Sequence, residues 1–275
     1  MTGSEPTVRL PLQVRVRGRL LRSKLIPGWV RQRSARLSGF SREYRLVGYS
    51  DDARSQISNR DGWQQVPVVA RQHAAWEHLL ESLAAGDTPR VDVDNLRVAA
   101  FRVVSPHDVV LEIGCGSGYN ARLLTSFEPS VRYIGLDSSS AAITYARRVD
   151  DAMRLVAANA LRLPMRDRSV SVVLDGGALI HIPKWEDVLR EQCRVASHAV
   201  ILHSVTVTDA STTAYLTKRA YGYVVPEVVI ARSDLQAVLD VCGFVVDCAL
   251  PGITYDLEPA IGIPTVSETW VCRRG

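Results

Sequence analysis

The ten residues Val109-Val110-Leu111-Glu112-Ile113-Gly114-Cys115-Gly116-Ser117-Gly118 constrain this chain more than any other stretch. An apolar, β-rich run reads as a buried strand, and three glycines at alternate positions end it before a helical pattern begins at Asn120. The backbone must turn tightly there and approach a ligand closely, where a Cβ would clash. The helix that follows offers unpaired N–H groups and the positive end of its dipole to an anionic group. A dinucleotide fingerprint counted from Gly114 needs glycine or alanine at position 119, and that residue is Tyr119. Gly-x-Gly-x-Gly fits better.

The rest of the chain supplies the context such a turn needs. Short β-rich runs at 109–113, 131–136, 154–158, 170–174 and 199–203 alternate with helical patterns at 120–127, 141–148 and 185–195. That alternation implies an α/β fold, a mostly parallel sheet with helices on both faces. Upstream, Val69, His73, Trp76, Leu80 and Leu83 recur at three- and four-residue steps, so 66–85 reads as a helix, with a second over 95–104. Near the end, Ser233 and Gln236 read as a capping box for a helix that stops at Gly243. Strands at 244–250 and 269–273 would then close the chain as a hairpin on the sheet edge.

With Glu112, Gly114, Gly116 and Gly118 matching the form E-x-G-x-G-x-G, the chain resembles the class I S-adenosylmethionine-dependent methyltransferases. The resemblance runs from about Val109 to about Val205 and fades along the way. It implies a Rossmann-like seven-stranded sheet and S-adenosyl-L-methionine as cofactor. In Ile134-Gly135-Leu136-Asp137-Ser138 it puts Asp137 on both ribose hydroxyls, since one carboxylate accepts two O–H bonds, with Ser138 beside it. Asn159 and Ala160 stand where the family has Asp-Ala near the adenine amine; an asparagine carbonyl still accepts that bond. Ser171 replaces the usual aspartate of the fourth strand. Asp175, at that strand's end, is expected at the cofactor or capping its own loop. In Gly177-Ala178-Leu179-Ile180-His181-Ile182, His181 matches a histidine of the family stretch and is the candidate general base.

Acceptor contacts are expected from His203, after the fifth strand, and from Tyr221 and Tyr223 in a segment, 215–226, that reads either as a lid or as a solvated helix and loop. The expected reaction is O-methylation of a small molecule or glycan. An N-methyltransferase or RNA methyltransferase is the alternative, disfavoured because no N/D-P-P-Y/F tetrapeptide for exocyclic amines is present. A non-catalytic binding protein on the same fold would have little need of the glycines and Asp137.

Charge is unevenly spread. Residues 1–45 carry eleven basic and two acidic side chains, while the remainder is net acidic against a total of +4. We divide the chain into a basic arm and loop over 1–61, a helical cap over 62–105 and a catalytic core over 106–275. Val8, Leu10, Leu12, Val14 and Val16 alternate with polar residues as in an edge strand, and 50–62 reads as a polar loop. The arginines suit an anionic membrane surface; nucleic acid is disfavoured because aromatic residues are not interleaved with them. The first thirty residues lack an apolar signal core, so the expected place is the cytoplasm, peripheral at the membrane if the arm binds there. Five cysteines without a C-x-x-C pair point to reduced thiols, with no cysteine zinc site or other metal centre expected.

Overall fold

The computed structural model describes residues 43–58, 60–253 and 257–275. The alternating segment near Val8 and most of the basic arm therefore lie outside the described residues. The compact unit holding the described residues runs from Arg42 to Gly275. Its first elements are strand β1 (Glu43–Gly48) and helix α1 (Asp51–Ser58). The 50–62 stretch is thus not all loop, as its polarity suggested. Ala53 and Ile57, one helical turn apart, are buried, and two apolar residues at that spacing suffice to seat a short polar helix.

Five parallel strands carry the core: β2 (Val109–Ile113), β3 (Arg132–Asp137), β4 (Leu155–Ala157), β5 (Val170–Asp175) and β6 (Ala196–Thr208). With β9 (Phe244–Pro251) and β10 (Val266–Arg274) the order is β4-β3-β2-β5-β6-β10-β9, the seven strands expected, but the sheet has ten because three further strands join it through β6. β10 runs antiparallel to both its neighbours. The closing pair is thus the expected hairpin on the sheet edge, docked so that β9 is the outer strand and β10 lies between β6 and β9. Trp270, Val271 and Cys272 are buried, which makes a central place for β10 favourable.

Side chains alternate across β2, and the helices divide accordingly. Leu111 and Ile113 pack toward α6 (Trp185–Val195) and α7 (Arg232–Val241), whereas Val110 packs toward α3 (Val91–Val103) and α4 (Tyr119–Phe127). Helix α5 (Ser140–Val149) has a side-chain cap, Ser139 Oγ accepting from Ala142 N. Helix α7 does not start as its capping-box pattern predicts. Its N-cap is Ala231, and the nearby Thr213 hydroxyl accepts the Ala231 N–H and donates to Asp234.

The largest departure from expectation is the segment 215–226, which is neither helix nor loop. Strands β7 (Ala214–Ala220) and β8 (Tyr223–Ala231) form an antiparallel hairpin, and β1 pairs with β7 on its far side. β8 joins the core only where β6 outruns β5: the β5 pairing ends at Leu202, and Val207 and Thr208 pair with Ile230 and Ala231. The hairpin consequently rises over the carboxyl end of β5. Its residues 224–230 alternate too little to reveal a strand, because all but Val224 are buried.

Among the described residues no helix is long and apolar enough to cross a membrane.

Candidate functional site

The carboxyl ends of β2, β3 and β5 lie level, with Ile113 beside Leu136 and Asp175, and the loops above them form the crevice in which open α/β sheets bind ligands. Gly118 caps α4 in the left-handed conformation (φ 85°), which glycine adopts without strain. Asp137 closes the turn from the next strand. Its Oδ2 accepts the Gly116 N–H (3.0 Å) and its Oδ1 the Ser139 N–H (2.8 Å). A carboxylate has about four lone-pair sites, so acceptor capacity remains for a diol. Burial raises the Asp137 carboxyl above its usual range, against the backbone donors that hold it down.

Around this turn, Ser138 is exposed and accepts from Gln64 Nε2 at 3.1 Å. Asn159 is exposed too; its Oδ1 accepts the Leu161 N–H (2.9 Å) and retains a second lone pair, while Ala160 is buried behind it. Helix α2 (Val66–Ala84) roofs the glycine turn: His73 Nδ1 lies 3.1 Å from Ser117 Oγ, and Trp76 stacks on Tyr119 at 4.5 Å.

Two acids hold the loops from beneath. Glu112 is 1% exposed and takes hydrogen bonds from Asn120 Nδ2 (2.7 Å) and from the Tyr133 hydroxyl. Burial pushes its carboxyl up to about 7 against those two donors. Asp175 is fully buried; Oδ1 accepts the N–H groups of Gly177 and Leu179, and Oδ2 accepts Gln192 Nε2 at 2.6 Å. Burial raises it to about 6. A Cβ at Gly176 would strike both the Glu112 carboxylate and the Asn120 amide. Gly176→Ala is therefore expected to destabilise the protein by about 1–3 kcal/mol, read as a lower midpoint in thermal or denaturant unfolding.

His181 ends a short 3-10 turn (Leu179–His181) and meets the hairpin. Its Nδ1 lies 3.0 Å from the Pro226 carbonyl oxygen and 3.1 Å from Glu227 Oε2. Lys218 Nζ stands 2.7 Å from the same carboxylate oxygen. Burial, with Lys218, lowers the His181 pKa, and Glu227 opposes them. Trp63 packs on the imidazole at 4.7 Å between centroids, and Tyr221, at the hairpin turn, lies edge-on to Trp63 at 6.3 Å. The turn is also fastened to the roof, since Arg71 on α2 donates to the Tyr221 carbonyl. Tyr223, half-buried, starts β8 just past the turn.

Sequence reasoning missed Trp63 and Glu227. A signal existed for Glu227, because one acid inside Val224-Val225-Pro226-Glu227-Val228-Val229-Ile230 has to find a charged partner if the run is buried. His203 is 7% exposed, with Nδ1 2.9 Å from Thr269 Oγ1, and burial lowers its pKa to about 4. An unfolded histidine titrates near 6.5, so between pH 6.5 and 4 the unfolded chain binds a proton that the fold refuses. The contribution is intact above pH 6.5 and lost as the pH falls to 4. His203→Gln should therefore gain about 3 kcal/mol relative to the parent on going from pH 8 to pH 4, measured by denaturant unfolding at both values.

Comparison with known proteins decides what this crevice belongs to. Residues 111–203 match a family described as a methyltransferase domain. Over that stretch the chain is similar to S-adenosylmethionine-dependent methyltransferases. A probable S-adenosylmethionine-dependent methyltransferase from Mycobacterium tuberculosis is 34% identical over 114 residues, 39% of this chain and 41% of that protein. The chain thus spans about two fifths of the length of the curated relatives it matches. A protein of Pyrococcus horikoshii shares the fold with a TM-score of 0.52 at 16% identity, over 66% of this chain and 89% of that one. A putative methyltransferase from Bacillus halodurans gives 0.50 at 14% identity, over 66% and 99%. At such identities the two structures speak for the fold alone. The crevice fits the cofactor of such methyltransferases: Asp137 has lone pairs to spare, and only the far end of the Gln72 side chain approaches the space a Cβ would take at Gly116.

Proposed function

We propose that the protein transfers a methyl group from S-adenosylmethionine to a hydroxyl of a small-molecule or sugar acceptor, with His181 as the base. One observation carries the choice of a hydroxyl. The Pro226 carbonyl is an acceptor only, so the neutral His181 ring donates from Nδ1 and keeps its lone pair on Nε2. No hydrogen bond to Nε2 is made among the described residues. The lowered pKa keeps the ring neutral at physiological pH, the state a base needs.

Asp137 would hold the cofactor's ribose and the glycine turn would admit its backbone, Asn159 and Ala160 facing the adenine. The bound cofactor supplies a methyl group on a positively charged sulfur. His181 Nε2 would take the proton that the acceptor hydroxyl gives up as its oxygen is methylated. Trp63, Tyr221 and the roof helix exclude water and align the acceptor, on which most of the acceleration rests. Trp63 Nε1 is buried without a hydrogen-bond partner among the described residues, and an acceptor oxygen would satisfy it.

The experiment is transfer from methyl-labelled S-adenosylmethionine to a panel of phenols, glycosides, amines and RNA. Labelled ether is expected. Labelled amine or RNA would replace the hydroxyl reading by its alternative. Cofactor binding by calorimetry with no transfer to any class would favour a binding protein.

A further inference from the structure

Glu227 is the most costly residue in the hairpin. It is fully buried, sits in a strand of otherwise apolar side chains, and leaves Oε1 without a partner among the described residues. A buried ion pair seldom repays its desolvation in stability, so its retention calls for another cause. The register supplies one. Leu216 pairs with Glu227 across the hairpin, which sets Lys218 on the diagonal of the same face, and the Pro226 carbonyl is the next acceptor along. Glu227 and the Pro226 carbonyl meet the imidazole of a residue that belongs to a different part of the fold, the loop after β5, and Lys218 pairs with Glu227 behind them.

We propose that Glu227, paired with Lys218, is a positioning residue for His181: its carboxylate keeps the ring proton on Nδ1, leaving Nε2 as the proton acceptor, and stabilises the imidazolium formed when that acceptor is used. Its chemistry requires no contact with substrate. A carboxylate behind a histidine fixes tautomer and orientation, and compensates the positive charge as it develops. Lys218 keeps the carboxylate ionised in a dry site; Coulomb attraction to Lys218 and His181 holds Glu227 below its ordinary range despite burial. The charged groups facing His181 are Glu227 on β8 and Lys218 on β7, and they act with opposite sign. The inference rests on the proposed base role of His181.

The test uses 15N imidazole spectra of the full chain, with the His181 signal assigned by its loss in His181→Gln. The parent is expected to show neutral His181 protonated on Nδ1. Glu227→Gln should lower the His181 pKa by at least about half a pH unit, and Lys218→Met should raise it, since each removes one of two opposing charges. With a hydroxyl acceptor from the panel, Glu227→Gln should lower kcat at least about tenfold with KM nearly unchanged, and should add nothing in the His181→Gln background. A parent protonated on Nε2, or a His181 that ignores both substitutions, overturns the positioning role. If Glu227→Gln does not fold, the Lys218→Met spectrum decides alone by the direction of its shift. Full activity in His181→Gln would instead remove the base itself, an outcome distinct from a failure of Glu227.

Discussion

His181→Gln is expected to lower kcat for methyl transfer to a hydroxyl acceptor by at least about tenfold, and by up to the roughly 10²–10⁴-fold that a positioned base contributes. Glutamine keeps a donor and an acceptor but takes up no proton. Cofactor affinity should stay near the parent's, because Asp137 and the glycine turn are untouched. The pH profile is the sharper readout. Burial and Lys218 lower the His181 pKa, so parent activity should rise through a value below 6.5 and then level off, and the variant should lack that limb. Unchanged kcat with an unchanged profile would leave His181 a packing residue and the transfer to proximity alone.

The second large effect belongs to Asp137. In the proposed role Asp137 would make two charge-assisted bonds to the cofactor's ribose, each worth about 1.5–3 kcal/mol before compensation, so in Asp137→Ala S-adenosylmethionine should bind at least about a hundredfold more weakly in calorimetric titration. The same substitution frees the N–H groups of Gly116 and Ser139, loosening the turn. Asp137→Asn keeps one acceptor for those groups and should fall between parent and alanine. Equal affinity in all three proteins would take the ribose role away from Asp137.

The core was legible because its residues answer to local rules. Strand β2 and helix α6 fall where the pattern puts them, and the glycine turn joins them in the expected context. The positions of Asp137 and His181 followed from strand ends, since a parallel sheet gathers those ends on one side. Other features depend on partners distant in sequence. The hairpin's two strands carry few alternating polar residues; β1, some 170 residues earlier, pairs with β7, and Leu257 and Ile261 pack with Leu216 and Val229, so neither strand declares itself locally. The inner place of β10 is set by its pairing with β6, which no residue of β10 specifies alone. Glu112 and Asp175 were recognised as site acids, but that both bond inward depends on Tyr133, Asn120 and Gln192, each on another element.

That inner place of β10 also orders events during synthesis. Every strand from β3 to β6 can pair as it leaves the ribosome, each with a partner already made. One flank of β6 along Ala199 to Val207 must wait until residues 266–274 exist, and β9 has no place in the sheet before then. At about 5–20 residues per second, some sixty residues of further translation leave apolar Val200, Ile201 and Leu202 beside an open row of backbone donors and acceptors for seconds. The hairpin closes in that interval from residues made directly after β6, and its other neighbour, β1, has been waiting since the first part of the chain. The nascent domain thus assembles its catalytic side before its sheet is complete, and the interval in which it needs shelter from neighbouring chains is set by the distance in sequence between β6 and β10.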